Sequence, residues 1–439
     1  MKAPVDLDLY TDAAAMGALL QQQLPGFADG RLRIDALEVH SVRRNASLHR
    51  NPSPMTLCYD LQVSDSAHGR SGSQRLVAQV FRPGLAAAAY KLQDRSALVP
   101  PRFGQALVHL PASNLLLWAL PNDPGLPQLP LLLDPLRAVE ALPASVRTAA
   151  ASGGLRVELL RYTPQRRATV RCSFVEGPQQ SERVLFGKAF FDQRASDIDA
   201  RFRWFWQQSQ RDTRAPLVAE PLGHDAATRT VWQASAAGQP LAPRLVTDEG
   251  ATWMGRVAHA LALLHAAPLA HTTTTAPRSV AHWLPEVRRR QNKITRADAA
   301  LAERVRRVAD AIEAHAAHPA TRPLSLIHGD CHPEQFWVHG DRVVLFDFDE
   351  FTLGDPMEDI AEFVLKLEQA GAAPSLATIL IERYAVAAPE RFDARCLSWH
   401  LAIQSLLQVS RAFIYQQPGW ADELERRLSA AEARAEALS

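Results

Sequence analysis

Two aspartates in the C-terminal half of the sequence stand where apolar runs end. Asp330 follows the apolar run 326–327 through a His-Gly turn, and Asp347 follows the apolar run 343–346. A carboxylate at the end of a buried strand costs free energy unless a cation or hydrogen bonds satisfy it. Because the two carboxylates follow neighbouring strand-like runs, we expect them to share one chemical task.

Phosphoryl transfer is a task that needs such a set of groups. It requires a base or orienting group for the attacking hydroxyl, hard oxygen ligands for Mg²⁺ and a cation on the nucleotide phosphates. Asp330 fits the first role, and Asp347 and Gln335 fit the second. Lys188, the single lysine of the apolar run 185–190, fits the third. Each residue taken alone could be a satisfied turn or edge residue, but their combination predicts an ATP- and Mg²⁺-dependent phosphotransferase.

The same region resembles the aminoglycoside-phosphotransferase and choline-kinase superfamily, which has a protein-kinase-like fold. Four successive segments match the sequence motif that is typical of this superfamily. They are His328-Gly329-Asp330 with Gln335, Asp347-Phe348-Asp349, Gly354-Asp355-Pro356 and Asp359-Ile360-Ala361. The resemblance implies that Asp330 is the catalytic base, that His328 supports the catalytic loop and that Asp347 binds the principal metal. Asp355 and Asp359 would tie the following segment to the loop.

The resemblance also implies a nucleotide site upstream of this region. Lys188 would contact the nucleotide phosphates, and the turn 163–167, which includes Arg166, would lie over them. Gln233 would stand where the hinge of the family meets the adenine. The helix after Lys188 usually carries a glutamate that pairs with the lysine, but residues 196–211 contain none. An aspartate of that helix could substitute with a shorter reach.

The acceptor is indicated by a second departure from the superfamily pattern. Gln335 replaces the usual asparagine, and the arrangement of His328, Asp330, His332 and Gln335 resembles maltokinase-like members. We therefore expect a hydroxyl of a sugar or related metabolite as acceptor. Two alternative functions stay open. The protein could be a pseudokinase-like nucleotide-binding or scaffold protein, or an aminoglycoside-type antibiotic phosphotransferase.

Polar side chains of the last long helix are candidates for acceptor binding. Gln404, Gln408 and Arg411 recur at helical spacing, so they could share one face. Amide and guanidinium groups suit a polyhydroxylated sugar. A solvated helix surface is the alternative interpretation of this stripe.

The pattern of elements predicts an α+β chain with a small antiparallel-sheet N-lobe at 151–236 and a mainly helical C-lobe at 237–439. Within the N-lobe we expect a helix rich in aromatic residues at 198–210 and a short strand at 217–221. Before the N-lobe, a proline-rich connector is predicted at 121–135, followed by a short helix at 136–150. An additional α+β cap-like domain is expected at 1–150, as in maltokinase-like proteins. Within it, residues 73–81 faintly resemble residues 181–190, with Gln79 in the place of Lys188. The cap could therefore be a degenerate repeat of the N-lobe.

Composition limits the class of protein. The 439 residues include 48 basic and 47 acidic side chains, a balance that gives no reason to expect binding to nucleic acid or to an anionic membrane. The four cysteines of the chain are scattered, as in a reduced cytoplasmic protein. No apolar run has the ~18 residues needed to span a bilayer. The sequence does not indicate an oligomeric state.

Overall fold

The computed structural model describes residues 9–44, 53, 55–211, 215–267, 276–415 and 419–438. The chain divides into two compact units. The first consists of Met1–Ala195 and Leu222–Trp232, and the second of Ser196–Pro221 and Gln233–Ser439.

The first unit begins with a helix and a five-stranded sheet. The elements in chain order are α1 (Ala13–Gln23), β1 (Leu32–Arg44), β2 (Met55–Asp65), β3 (Arg70–Val80), α2 (Leu85–Lys91), β4 (Leu107–Leu110) and β5 (Leu115–Ala119). The strand order in the sheet is β1-β2-β3-β5-β4. Asp12 caps α1, because its Oδ1 accepts hydrogen bonds from the amides of Ala14 and Ala15. The buried residues of the strands, with α1, form the apolar core of this part.

Three short helices lead to a second sheet. They are α3 (Leu129–Leu132), α4 (Pro135–Ala141) and α5 (Ala144–Ser152), and they precede β6 (Arg156–Thr163), β7 (Arg167–Glu176) and β8 (Ser181–Phe190). Helix α6 (Ala195–Arg211) follows, and β9 (Pro221–Asp225) and β10 (Thr230–Ala234) complete the sheet. Its strand order is β6-β7-β8-β10-β9, which repeats the order of the first sheet.

The two sheets of the first unit share apolar packing and a buried polar junction. Trp118 of β5 lies in one buried cluster with Tyr162 and Ala168 of the second sheet. Asp123, in the segment after β5, accepts hydrogen bonds from the Tyr162 hydroxyl and from the amides of Gly125 and Gln165. These bonds satisfy a carboxylate that would otherwise be costly to bury.

The second unit is mainly helical. After the two-residue strand β11 (Gln239–Pro240), its helices are α7 (Gly250–His265), α8 (Val280–Ala297) and α9 (Ala302–Ala314). Four short strands follow, namely β12 (Ser325–Ile327), β13 (Phe336–His339), β14 (Arg342–Leu345) and β15 (Thr352–Gly354). The chain then continues as α10 (Pro356–Gln369), α11 (Pro374–Ala387), α12 (Ala394–Tyr415) and α13 (Trp420–Glu436).

The short strands form two separate antiparallel pairs inside the helical unit. β12 pairs with β15, and β13 pairs with β14 in a hairpin that also contacts β11. Leu217 makes a parallel bridge to Val344, where the sequence had predicted a strand from 217 to 221. Phe336, Leu345 and Met357 lie fully or almost fully buried in the core of this unit.

The predicted α+β class with a protein-kinase-like fold is confirmed, although some element predictions were wrong. The helix predicted for 136–150 is two helices, because Pro143 separates α4 from α5 and cannot donate an amide hydrogen bond. The connector predicted at 121–135 contains α3, and strands β4 and β5 and helix α8 were not predicted. The boundaries predicted at 150 and 236 stay a prediction.

Candidate active site

The candidate site of the second unit is built on the turn that follows β12. Ile327, the last residue of this strand, is fully buried and pairs with Thr352 of β15, so the direction in which the chain leaves the strand is fixed. The amide of His328 donates to Asp359 Oδ2 at 2.7 Å, and the amide of Gly329 donates to Asp359 Oδ1 at 2.9 Å. One buried carboxylate thus holds two successive amides of the turn that presents Asp330.

Asp359 is itself oriented by His265 of α7, which is held in turn by Tyr384 of α11. Its Oδ2 lies 3.0 Å from Nε2 of His265, and Nδ1 of the same ring lies 2.7 Å from the Tyr384 hydroxyl. Burial raises the pKa of Asp359, but the hydrogen bond and charge of His265 and the amides of the turn outweigh it, so the net shift is downward. Asp359 is therefore an ionised structural anchor, as the resemblance implied.

Gly329 has a backbone conformation that favours glycine. Its φ is +76°, and a Cβ there would lie 2.5 Å from the carbonyl oxygen of Glu350. The carbonyl of Gly329 accepts a hydrogen bond of 2.6 Å from Arg278 Nη1. The glycine in this turn is thus required both by its left-handed φ and by the close approach of neighbouring backbone.

Arg278 is a central residue of the site that the sequence did not indicate. Its guanidinium also donates to Glu358 Oε1 and to Glu350 Oε2, each at 2.8 Å, and its amide donates to the Leu353 carbonyl. Glu358 is fully buried, and burial raises its pKa to about 7 although Arg278 acts in the opposite direction. A lone arginine in an unstructured-looking stretch of sequence carries no local pattern that would have revealed this role.

The turn is also joined to the β13–β14 hairpin. His328 Nε2 donates to the carbonyl of Phe346 at 2.8 Å, and the amide of Phe346 donates to the carbonyl of Gln335 at 2.9 Å. Gln335 and Asp347 therefore lie at the same end of the hairpin, opposite its turn. The structure thus brings together His328, Asp330, Gln335 and Asp347, four of the residues predicted from the sequence.

Asp330 and His332 are both partly accessible to solvent. The side chain of Asp330 is 33% exposed, and its Oδ2 lies 3.9 Å from His332 Nε2. Burial lowers the pKa of His332, although the Asp330 carboxylate acts in the opposite direction. A neutral His332 can accept a hydrogen bond at Nε2, and the amide nitrogen of Gln335 lies 3.1 Å from that atom.

The donor chemistry at the end of the hairpin fits a hard divalent cation. The side-chain nitrogen of Gln335 is oriented towards His332. The side-chain oxygen of Gln335 therefore stays available as a metal ligand. Asp347 is half-buried and has a left-handed backbone with φ 61°, which an aspartate tolerates better than most residues. A carboxylate and an amide oxygen are ligands that suit Mg²⁺.

The candidate phosphate-binding residues belong to the first unit and share one end of the second sheet. Lys188 of β8 pairs with Thr169 of β7, and Arg167 at the start of β7 pairs with Phe190. The carbonyl of Arg166 accepts a hydrogen bond from the amide of Phe191, and the Arg166 side chain is exposed. The turn with Arg166 thus lies next to the end of the strand that carries Lys188.

The sequence matches a known family over this combination of elements. The phosphotransferase enzyme family, abbreviated APH, matches residues 173–395, which is half of the chain. The chain belongs to this family. No curated protein matches the phosphotransferase in sequence.

Several solved structures are similar to this chain at low sequence identity. A choline/ethanolamine kinase family protein from Mesorhizobium loti is 17% identical, with a TM-score of 0.44 over 66% of this chain and 90% of that one. Choline kinase from Cryptosporidium parvum Iowa II is 10% identical, with a TM-score of 0.46 over 65% and 90%. A thermostable aminoglycoside phosphotransferase APH(4)-Ia with AMP-PNP and hygromycin B is 13% identical, with a TM-score of 0.44 over 64% and 92%.

Helix α6 of the phosphotransferase contacts the segment after Asp347 within the second unit. The ring of Phe348 stacks against the rings of Phe202 and Phe205, with centroid distances of 5.2 and 5.1 Å. Arg201 Nη1 donates to the carbonyl of Phe351 at 2.8 Å. The sequence predicted a helix rich in aromatic residues at 198–210, but it did not indicate which residues these aromatic side chains contact.

Two expectations about the nucleotide site stay predictions. Gln233 lies in β10, where the chain passes from the first unit back into the second, and its role at the adenine stays a prediction. Asp199 of α6 pairs with Arg203 at 3.1 Å, and a pairing of Lys188 with an aspartate of this helix stays a prediction as well.

The polar stripe of α12 is not a solvated surface along its whole length. Gln404 and Gln408 are each only 4% exposed, whereas Arg411 is half-buried. The alternative interpretation of these residues as mere surface is therefore wrong for the two glutamines.

Among the helices of the described ranges, none is both long and apolar enough to cross a bilayer.

Proposed function

We propose that the phosphotransferase transfers the γ-phosphoryl group of ATP to a hydroxyl of a small molecule, a sugar or a related metabolite. The observation that carries the proposal is the fixed presentation of Asp330. Its turn is held by Asp359 at two amides and by Arg278 at one carbonyl, while its own carboxylate stays partly exposed. A rigid loop that ends in one accessible carboxylate suits a base that must meet an acceptor hydroxyl.

In the proposed reaction the acceptor oxygen attacks the γ-phosphorus, and the bond between this phosphorus and the β–γ bridging oxygen breaks. The acceptor proton passes to Asp330, and ADP leaves with the bridging oxygen. Asp347 and Gln335 would hold Mg²⁺, which neutralises charge on the phosphate oxygens when it is bound. Lys188 and Arg166 would bind the nucleotide phosphates, and Gln233 would face the adenine.

The proposal is tested by comparing two aspartate variants with the wild-type chain. Asp330→Asn should lower the rate of phosphoryl transfer from labelled ATP by about 100-fold or more while Mg-ATP binding survives, because the base acts only in the reaction step. Asp347→Asn should weaken Mg-ATP binding as well. The matched control is Asp341→Asn, an exposed aspartate at the hairpin turn, which should retain wild-type kinetics.

Two outcomes would count against this function. Wild-type turnover in the Asp330→Asn variant would remove the proposed base. Binding of Mg-ATP without cleavage by the wild-type chain would favour the alternative of a pseudokinase-like nucleotide-binding protein.

A further inference from the structure

A cavity of the second unit has an unusual set of charges. It has a volume of about 740 Å³ and lies between α10, α12 and α13. This volume suits a small metabolite. Its ionisable lining residues are Lys366, Arg411, Asp422, Glu423, Arg426 and Arg427.

The charges of the cavity do not cancel. Glu423 forms ion pairs with both Arg426 and Arg427, and Arg427 also donates to the carbonyl of Gln408 at 3.0 Å. In the described part of the chain, Lys366 and Arg411 form no ion pair with a carboxylate. Four cations against two carboxylates leave two positive charges in excess.

Lys366 and Glu362 of α10 lie within electrostatic range of Asp330. Lys366 is influenced electrostatically by Asp330 and by Arg411, and Glu362, one turn before it on α10, is influenced by the same two residues. Glu362 is only 4% exposed, and burial together with the Asp330 charge raises its pKa to about 8. At neutral pH this carboxyl is mostly protonated, so it leaves the charge of Arg411 largely uncompensated.

We propose that the acceptor carries an anionic group, a carboxylate or a phosphate, which Arg411 and Lys366 bind while its hydroxyl faces Asp330. This inference rests on the proposed function, because it assigns the substrate class of the same site. A guanidinium binds either anion through paired N–H groups, and a partly buried cavity strengthens the attraction. The same charges disfavour a polyamine or a quaternary ammonium acceptor.

The experiment measures binding of matched neutral, anionic and cationic compounds to the full chain with Mg-ADP, by isothermal titration. The compounds share their carbon skeletons: glucose with glucuronate, glucose 6-phosphate and glucosamine, ribose with ribose 5-phosphate, and glycerol with glycerol 3-phosphate. We expect the anionic member of at least one set to bind about 10-fold more tightly than its neutral partner. Comparison of glucuronate with the phosphates separates the two anions.

Variants then assign the preference to the cavity. Arg411→Gln and Lys366→Gln should each reduce the anionic preference severalfold, and Arg411→Glu should shift preference towards glucosamine. Arg383→Gln, at an exposed position of α11, is the control and should keep the wild-type preference. Circular dichroism of every variant checks that it is folded.

Failure of this inference is distinguishable from failure of the proposed function. Equal or tighter binding of the neutral compounds, binding of no anionic compound, or an anionic preference that survives in both glutamine variants would overturn the inference. The proposed function is tested separately by cleavage of Mg-ATP, which should be faster in the wild-type chain than in Asp330→Asn.

Discussion

The two sheets of the first unit have the same strand order but different residues at one matching position. In the first sheet Gln79 of β3 pairs with Thr56 of β2, and in the second sheet Lys188 of β8 pairs with Thr169 of β7. Each of these threonines lies on the strand that precedes its partner in sequence. The helices and strands around them also follow in the same sequence, from α1 to β5 and from α5 to β10.

We propose that the first sheet is a degenerate repeat of the second. The matching position is half-buried in both sheets and lies between buried neighbours, so the local backbone and packing are alike. What differs is the ammonium group, which the first sheet lacks. Under the proposed function, the same backbone position would bind phosphate in the second sheet, where it carries Lys188, and would not do so in the first sheet, where it carries Gln79.

The strongest test of this comparison exchanges the two residues. Lys188→Gln should lower kcat/KM for ATP by about 100-fold, equivalent to about 2.7 kcal/mol, because a fixed cation on the phosphates is lost. The double variant Lys188→Gln with Gln79→Lys should stay as impaired as the single one. Steady-state kinetics checks both, and unchanged kcat/KM in Lys188→Gln would show that the two sheets do not differ in this way.

A second difference concerns the neighbouring position, Ala78 in the first sheet and Gly187 in the second. A Cβ at Gly187 would lie 2.6 Å from a ring carbon of the buried Trp232. Gly187→Ala should therefore reduce the free energy of unfolding by about 1–3 kcal/mol through overpacking. Urea denaturation measures the loss. Ala78→Gly is the matched change in the first sheet and should cost about 0.5–1 kcal/mol without any clash.

A substitution in the buried polar junction around Asp123 tests whether the two sheets stabilise each other. Tyr162→Phe removes a donor from the buried Asp123 carboxylate and should cost about 1–2 kcal/mol in the free energy of unfolding. Burial raises the pKa of Asp123 in spite of its hydrogen bonds, so its folded form binds a proton more readily than the unfolded chain. Stability contributed by this group therefore falls as pH rises above about 4.

The pH dependence gives the same variant a sharper readout. The loss caused by Tyr162→Phe should be larger at pH 7 than at pH 4, because the ionised carboxylate needs the phenol donor more than the protonated one does. Thermal denaturation at both values checks this. Tyr90→Phe, in helix α2, serves as control, and an equal loss in both variants would contradict the role of the junction.

The smallest effect is expected at Gln79 itself. Its Nε2 donates to Gln165 Oε1 at 2.9 Å, and Gln79→Ala should cost about 0.5–1 kcal/mol of unfolding free energy. We expect kcat/KM for ATP to change by about twofold or less, in contrast to Lys188→Gln. A loss of activity as large as that of the lysine variant would mean that the first sheet has a direct part in the reaction.

The sequence allowed the α+β class, the family and the cluster of His328, Asp330, Gln335 and Asp347 to be predicted, because these residues lie close together in the chain. Residues within one turn or one hairpin are close in the sequence, so their spacing alone indicates that they lie near each other in the fold. The hydrophobic pattern shows where the strands end. The same holds for the strands that carry Gln79 and Lys188.

Contacts between residues far apart in the chain could not be predicted. Arg278 reaches Glu358 across 80 positions, and His265 reaches Asp359 across 94, and nothing in the local sequence of either donor indicates its acceptor. The buried state of Glu362 was missed for the same reason, since a glutamate on an amphipathic helix is usually exposed. Strands β4 and β5 were missed in a stretch where prolines interrupt the alternating pattern.

The guanidinium of Arg278 contacts Gly329, Glu350 and Glu358 at once. Because one guanidinium contacts all three acceptors, a change at one acceptor also alters the position of the group that the other two bind, and the effects of substitutions there should not add. In a double-mutant cycle, Glu350→Gln combined with Arg278→Lys should therefore cost less than the sum of the two single changes. Natural variation at these positions would accordingly be expected to occur jointly, as compensating sets instead of independent substitutions.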